Sequence, residues 1–509
     1  MIEGNSGIDE LKEGYPGAVL DVTRFRGEAA ATVRAADILP ICEFLRDDPD
    51  LAYDLCTFVS AVDQSKLPAP SSVAASSARF VAVYQLASLQ HGTRLRLLVP
   101  LSGDEPSVDS VTPVWSAADW HERETFDLFG IRFKGHPEMR RILLPHTWIG
   151  HPLRKDYELG AEPVQFTVNP DDPALDRIGE QVLEAPTGES DVPPWFSGRA
   201  DTMIINMGPQ HPATHGVLRV VVELDGERIV NAAPDIGHLH SGFEKTAENR
   251  TYQQFATYPS RMDYVAGMSN DLSYILAVEK LVGAEVPPRA NVIRVILLEL
   301  QRLAAHLIWI ASQTLDLSGT IHALLQYAFR EREMILDIFE MVCGARLTTS
   351  YFATGGLRWD VPPAFARVVR EFADHFEKRL PEYETLLTKN PVYRSRLEGT
   401  AVVSAQQAVD LGCTGPLLRG TGIGYDVRKA VPYCGYEEYN FEVPVQSDGD
   451  AYARYEVRLA EMRQSVRIIR QGLKKLQEIG PGPVKDPDRK ISLPPRDELE
   501  SSMEAVIHH

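Results

Sequence analysis

The first 157 residues alternate short apolar runs with polar turns, a pattern that mixes helices with strands. ADILPICEFLRDDPD predicts a short helix, and WSAADWHERETFDLFGI predicts another. RFVAVYQLASLQHGTRLRLLVPL contains two β-rich runs around Gln90-His91-Gly92, which predict a hairpin. We therefore expect an N-terminal α/β domain over residues 1–157.

Apolar periodicity stops after this domain and resumes near Asp201. Residues 158–200 are rich in Pro, Asp, Glu and Gly, which predicts a linker that runs over the surface. TMIINM then predicts a short strand, and VLRVVVEL and ERIVNAA predict a hairpin around Asp225-Gly226. Alternate residues of a strand lie on the same face. Arg219 and Glu223 are therefore expected on one face of the hairpin, and the other face carries Leu218, Val220, Val222 and Leu224.

Helical spacing dominates the rest of the chain. SRMDYVAGMSNDLSYILAVEKLVG predicts a helix with Ser260 as N-cap after Pro259. PRANVIRVILLELQRLAAHLIWIASQTLDL is apolar nearly all round, which predicts a buried central helix. Further long helices are predicted for LLQYAFREREMILDIFEMVCG, PAFARVVREFADHFEKRLPEYETLLTKN and AYARYEVRLAEMRQSVRIIRQGLKKLQEI. The expected class is α+β, in which residues 201–509 form a mainly α-helical bundle domain with a small β-hairpin region.

Composition narrows the class of function. The 509 residues carry a net charge of −19, which argues against a nucleic-acid binder and disfavours adhesion to anionic lipid. We expect no transmembrane segment, because no run of eighteen apolar residues occurs, and the acidic, polar N-terminus does not resemble a signal peptide. The five cysteines form no CxxC pair, so neither a disulfide scaffold nor an iron–sulfur cluster held by this chain alone is expected.

GPQHPATHG, residues 208–216, places His211 and His215 on a loop that can be neither a helix nor an inner strand. Two ligands do not close a zinc site, so the alternatives are rings that only bond the loop backbone, or a reactive histidine. Tyr264 follows early on its helix, and Asp316 ends the apolar helix. A buried Asp316 needs a partner such as a histidine, whereas a solvated Asp316 needs none.

Several long motifs resemble two subunits of respiratory complex I, the proton-pumping NADH–quinone oxidoreductase. WHERETFDLFGIRFKGHPEMRRILLPHTWIGHPLRKDY, residues 120–157, resembles its C-type subunit. NMGPQHPATHGVLRVVVELDGE, PDIGHLHSGFEKTAENRTYQQFATYPSRMDY, LDLSG, FREREMILDIFE, GCTGPLLRGTGIGYDVRKAVPY and YARYEVRLAEMRQSVRIIRQ resemble its D-type subunit. The chain is thereby identified as a member of the fused C/D family, with a C-type domain at 1–157 and a D-type domain, expected to be C-terminally incomplete, at 201–509.

This resemblance implies a function and a site. D-type subunits are related to the large subunit of nickel–iron hydrogenases, and their metal-free cavity forms the head of a quinone-binding site. The quinone-contacting residues correspond to His215 and Tyr264, and the acid paired with the histidine corresponds to Asp316. Arg261 corresponds to an arginine beside a 4Fe–4S cluster that an adjacent B-type subunit holds. The substrate is then ubiquinone or menaquinone, and this chain supplies protons for its reduction but binds no metal.

The resemblance also implies partners and a location. The other partners are the I-type ferredoxin-like subunit and the membrane subunits of H-type and A-type, on the cytoplasmic side of the inner membrane. A hydrogenase-type catalytic subunit is the closest alternative, but RMDYVAGMSND lacks the first of its two cysteine pairs. A third alternative is a structural connector. We expect that role for residues 1–157, where the spacing of the histidines fits no ligand set: His121, His136, His146 and His151.

Overall fold

The computed structural model describes residues 6–67, 77–146, 148–158, 201–210, 216–317, 323–494 and 496–508. Contacts divide the chain into two compact units, Met1–Asn249 with Asp410–Gly412, and Arg250–Val409 with Cys413–His509. Both units mix helices with small sheets, so the predicted α+β class is confirmed. Except for Glu158, the predicted linker lies outside the described residues.

A five-stranded sheet of order β1-β2-β5-β4-β3 forms the centre of the first unit. Its strands are β1 Val19–Phe25, β2 Glu28–Val33, β3 Leu55–Asp63, β4 Phe80–Ala87 and β5 Arg94–Leu101. The predicted hairpin is confirmed, because β4 and β5 pair antiparallel from Phe80–Leu101 to Ala87–Arg94. The predicted helices are also present, and the helices of this sheet region are α1 Ser6–Gly14, α2 Ile38–Asp47 and α3 Ala118–Phe129. A short parallel pair, β6 Ser107–Asp109 and β7 Arg132–Lys134, completes this part.

A second, three-stranded sheet contains the strands predicted after Asp201. It has the order β10-β9-β8, with β8 Met203–Met207, β9 Arg219–Asp225 and β10 Arg228–Asp235. The hairpin is confirmed, and Glu223 is buried between Thr202 and Asn231, which donate hydrogen bonds of 2.8 and 2.7 Å to its carboxylate. This sheet groups with the first unit, together with helix α4 Phe243–Ala247. The limits 1–157 and 201–509 of the two domains stay a prediction.

The second unit is built mainly of helices, as the periodicity predicts. They are α5 Tyr252–Phe255, α6 Gly267–Val282, α7 Pro288–Leu317, α8 Ala323–Cys343, α9 Phe365–Tyr383, α10 Pro391–Leu397, α11 Ala405–Asp410, α12 Gly415–Arg419, α13 Val427–Ala430, α14 Ala451–Ile479, α15 Arg496–Leu499 and α16 Met503–His508. A short two-stranded sheet, β11 Phe352–Ala353 and β12 Gly356–Leu357, packs among them.

Helix α7 is the core of this unit. Its apolar residues contribute much of the largest buried cluster, and α14 approaches it closely at Gly472. A Cβ atom there would lie 2.6 Å from Cγ1 of Ile296, so the glycine permits this helix contact. In the described part of the chain, α7 is the one helix long and apolar enough, over Pro288–Leu315, to cross a membrane. Most of that stretch is buried inside the unit, which is also the pattern of a core helix in a soluble protein.

The start of α6 differs from the prediction. The helix begins at Gly267, and Pro259–Arg261 forms a separate 3₁₀ turn, so Ser260 is not its N-cap. The cause is local, because the carboxylate of Asp263 accepts a hydrogen bond of 3.1 Å from the backbone N–H of Val265. Such an Asx turn competes with the helix. Tyr264 therefore lies on a turn that precedes the helix.

Candidate functional site

One exposed turn carries two of the four residues expected at the site. Arg261 and Tyr264 both present their side chains to the surface of the second unit, and the Tyr264 side chain is 44% exposed. The guanidinium of Arg261 donates a hydrogen bond to the carbonyl oxygen of Thr257. The phenol of Tyr264 has no hydrogen-bond partner among the described residues. It is therefore available to a ligand.

The turn is fixed to α7 through one side chain. Nε2 of Gln301 donates to the carbonyl oxygen of Val265 at 2.7 Å, and its Oε1 accepts from the N–H of Met268 at 3.4 Å. Gln301 is almost fully buried, so both bonds are shielded from water. The segment that carries Tyr264 is thus tied to the central helix by an amide that bonds on either side of the start of α6.

The last turn of the same helix contains Asp316, whose side chain lies outside the described residues. Its neighbourhood is fixed by α10. The hydroxyl of Tyr393 donates to Oε1 of Gln313 at 2.7 Å, and Nη1 of Arg396 donates to the carbonyl oxygen of Leu317 at 2.6 Å. A cation at a helix C-terminus is favourable because the helix dipole is negative there. Sequence reasoning missed both α10 residues, since nothing in the chain indicates what α10 contacts.

His211 and His215 lie outside the described residues. Their loop joins β8 to β9 in the first unit, and its ends are in contact because Met207 pairs with Val220. Gly208, at a φ of +93°, approaches the other end closely, and a Cβ there would lie 1.9 Å from the carbonyl oxygen of Leu218. That glycine is therefore required for closure of the loop. The pairing of His215 with Asp316 stays a prediction.

A buried ionic cluster lies along α7. Nη1 of Arg428 donates to Glu299 at 2.9 Å, and the carboxylate of Asp426 accepts from Nη2 of the same guanidinium at 2.6 Å. Tyr436 and Ser465 each donate a further bond of 2.7 Å to Glu299. Burial raises the pKa of Glu299, but Arg428 and then Arg302 outweigh that effect and bring it to about 2. The cluster is thus ionised at neutral pH.

A second buried carboxylate accepts bonds two turns further along α7, where His306 lies. Glu461 on α14 accepts from Nε2 of His306 at 2.8 Å and from Nε of Arg419 at 2.7 Å. Burial raises its pKa, while the hydrogen bond and charge of His306 lower it, with a net value of about 2. Spacing along α7 places Glu299, Arg302 and His306 on one face of the helix. The sequence of this helix is apolar nearly all round, yet these three residues form a polar stripe on one of its faces.

Asp271 is a further candidate that sequence reasoning missed. It lies on α6, is 1% exposed, and accepts a 3.0 Å bond from the N–H of Ser350. Burial raises its pKa to about 6, although the bonds from Ser350 and Ser260 and the charge of Arg261 lower it. A signal did exist, because Asp271 interrupts the apolar stripe that contains Met268, Leu272 and Ile275.

The change Asp271→Asn is expected to stabilise the chain at pH 7.5 but not at pH 4. The folded-state pKa near 6 exceeds the unfolded value, so the folded state holds a proton that the unfolded state releases, and stability falls as pH rises between about 4 and 6. The cost of ionisation is about 2–3 kcal/mol, and the amide removes it. Chemical denaturation at both pH values measures the difference. The exposed Asp263→Asn serves as control, and an equal effect of both changes would contradict the assignment.

No group of three or more His, Cys, Asp or Glu side chains that could hold a metal ion occurs within the described residues. All five cysteines are free thiols. In the first unit, Nε2 of His136 and Nδ1 of His151 lie within hydrogen-bond distance of backbone carbonyl oxygens, those of Asp119 and Asp127. These two histidines are accordingly satisfied by the fold.

Two family models match the chain. Residues 31–163 match "Respiratory-chain NADH dehydrogenase, 30 Kd subunit", and residues 319–509 match "Respiratory-chain NADH dehydrogenase, 49 Kd subunit". The C/D subunit of NADH-quinone oxidoreductase from Gluconacetobacter diazotrophicus is 38% identical over 514 residues, which cover 100% of this chain and 83% of the relative. The C/D subunit from Psychrobacter arcticus is 40% identical over 99% of this chain and 83% of the relative. The second D subunit from Chloroflexus aurantiacus is 54% identical over 64% of this chain and 79% of the relative.

Proposed function

Because the chain belongs to the family of C/D subunits of NADH-quinone oxidoreductase, we propose that its D-type part forms the head of the quinone-binding site. Quinone is reduced there to quinol with electrons from a 4Fe–4S cluster that an adjacent B-type subunit holds. The chain acts only within the assembled, proton-pumping complex. NADH binds to another subunit, and residues 1–157 connect the D-type part to its neighbours.

Reduction of quinone to quinol takes two electrons and two protons. The electrons arrive by tunnelling, but each proton must be donated where charge develops on a carbonyl oxygen. We assign the first proton to the imidazole of His215, whose tautomer and cationic form Asp316 stabilises. The phenol of Tyr264 donates a hydrogen bond, and then a proton, to the second carbonyl oxygen. Arg261 lies beside the partner's cluster, where a fixed positive charge favours added electrons.

The observation that carries this proposal is the turn before α6. It presents Tyr264 and Arg261 together at the surface, and Gln301 ties it to the helix whose last turn contains Asp316. A phenol that served only the fold would be expected to bond within the unit. The exposed hydroxyl and the exposed cation instead suit a face that is covered by a substrate and a neighbouring protein.

The change Tyr264→Phe is expected to lower kcat for quinone reduction about 100-fold, the usual effect of removing one donor to developing negative charge. KM should change much less, since the ring still packs against the substrate. Steady-state kinetics of the assembled enzyme with a short-chain quinone separates the two constants. Tyr252→Phe is the matched control, because Tyr252 is 66% exposed on the same unit. Unchanged kcat in the Tyr264 variant of an intact complex would contradict the proposal.

We propose the remaining partners on the same basis. They are the I-type ferredoxin-like subunit and the H-type and A-type membrane subunits, which hold the chain at the cytoplasmic side of the inner membrane as a peripheral protein. Affinity purification through this chain, followed by identification of the bound proteins, tests the assembly. Loss of the membrane subunits but retention of a cluster protein would favour a soluble oxidoreductase.

A further inference from the structure

A cavity of about 570 Å³ lies in the second unit, between the β11–β12 region and the segment after α14. None of the residues assigned to the quinone site lines it. Its volume falls within the range of pockets that hold small molecules. The volume is also far larger than that of a single acidic side chain. The lining that matters here combines an apolar and aromatic wall with two cations: Ile275, Phe352, Trp359, Leu493, Arg358 and Lys485.

The two cations have no carboxylate partner among the described residues. The guanidinium of Arg358 is held by Ser350 instead, with bonds of 2.7 Å to its carbonyl oxygen and 3.3 Å to its hydroxyl. Burial lowers the pKa of the Lys485 ammonium, and the charge of Arg358 lowers it further. Two like charges that face one cavity without a counter-ion destabilise each other. An anion in the cavity would relieve that repulsion.

The backbone fixes the position of Lys485. The N–H of Leu357 donates to Val484 at 2.9 Å, and the N–H of Asp486 donates to Gly355 at 2.7 Å. Gly356 makes this approach possible, since a Cβ there would lie 2.0 Å from the carbonyl oxygen of Val484. The strand-like contact holds the lysine beside β12.

Asp486 is the nearest acid in the sequence, yet it does not serve as the counter-ion. Its Oδ2 accepts from the N–H of Glu285 at 2.7 Å, and its Oδ1 accepts from the N–H of Asp488 at 2.8 Å. Both carboxylate oxygens are therefore committed to the backbone. The positive charge of the cavity is left for a ligand.

We propose that this cavity binds a small amphiphile with an anionic head group and an apolar body. Lys485 and Arg358 bind the head group, a carboxylate or a phosphate, by charge-assisted hydrogen bonds. Ile275, Phe352 and Leu493 pack against the body, and so does Trp359, which is 49% exposed. A free fatty acid and a lipid-derived monoalkyl phosphate both have this chemistry.

Trp359 makes the binding measurable, because bromine quenches the fluorescence of an indole that it contacts. We expect decanoate with a terminal bromine to quench the full-length chain saturably, and Trp359→Phe to abolish that component. Lys485→Gln and Arg358→Gln should each weaken binding about tenfold, the effect of losing roughly 1.4 kcal/mol. Lys485→Arg should retain it. The control Lys474→Gln, at a side chain that is 79% exposed, should leave it unchanged.

Competition then identifies the head group. Unlabelled decanoate and decyl phosphate should displace the probe, and whichever acts at the lower concentration indicates the source of the ligand. Decanol tests whether binding requires an anionic head group, and inorganic phosphate tests whether it requires an apolar body. Equal displacement by decanol, or quenching that both glutamine variants retain, would overturn the proposal. Thermal melts show whether each variant folds. If Lys485→Gln does not fold, Lys485→Arg keeps the test valid.

Discussion

The change His215→Ala is expected to lower the rate of quinone reduction by the assembled complex about 10²–10⁴-fold, the usual contribution of a general acid. The methyl group can donate neither a proton to the quinone oxygen nor a hydrogen bond to the carboxylate of Asp316. Electron delivery to the partner's cluster should be unaffected, because that cluster is reduced before quinone reacts. Rapid-mixing spectroscopy should therefore show a cluster that is reduced at the normal rate and then stays reduced.

The control for this experiment is His211→Ala in the same loop. We expect His211 to shape the loop without touching quinone, so its loss should cost far less activity than the loss of His215. Both variants must first be shown to assemble, by the protein composition of the purified complex. Full activity of an assembled His215 variant would remove the histidine from the mechanism and favour a connector role for this part of the chain.

The change Arg428→Leu is expected to destabilise the chain by about 3–5 kcal/mol, the cost of leaving a buried charge without its partner. Arg428 is 1% exposed and binds both Glu299 and Asp426. Leucine fills part of the volume but removes the closest cation from the buried carboxylates of Glu299 and Asp426, which leaves the charge of Arg302 to compensate both. Protonation of a carboxylate then removes the unfavourable charge, so the loss of stability should shrink as the pH is lowered towards 4. Chemical denaturation of the full chain at pH 7.5 and pH 4.5 measures both effects.

An exposed arginine provides the comparison. Arg367 is 66% exposed and pairs with Glu371 one turn along α9, and such pairs contribute about 0.3–0.5 kcal/mol. Arg367→Leu should therefore shift the denaturation midpoint only slightly. A loss below about 1 kcal/mol for the Arg428 variant would mean that water reaches the carboxylates, and the cluster would then not be a dry ion network.

The apolar spacing of the sequence predicted the elements well, because burial of one helix face is encoded locally. The helices α7, α9 and α14 and the β9–β10 hairpin all lie where the periodicity places them. The error at the start of α6 has a local cause too. The bond that the N–H of Val265 donates to the carboxylate of Asp263 interrupts the helical geometry three residues after the expected cap. Spacing alone does not reveal which aspartate side chain turns back onto the backbone.

The partners of polar side chains inside the fold could not be predicted in the same way. Glu299 and Arg428 are far apart in the chain, and Tyr393 and Gln313 are too, so only the folded structure pairs them. In the sequence, nothing distinguishes these four residues from other polar residues. The site residues were identified through motifs that resemble the D-type subunit. Of these, the structure places Tyr264 and Arg261 on one turn, and the contact between His215 and Asp316 stays a prediction.

Helix α7 attaches to two other segments at fixed points, Gln301 near the tyrosine turn and Gln313 beside its last turn. The twelve residues from Gln301 to Gln313 span about 18 Å of α-helix. A helix does not stretch, so these two attachment points cannot be drawn together as the two halves of a hinged enzyme are. In the proposed quinone site, the distance along α7 between the tyrosine turn and the last turn of the helix is therefore constant. Accommodation of a larger or smaller head group must then come from side-chain rotation and bound water.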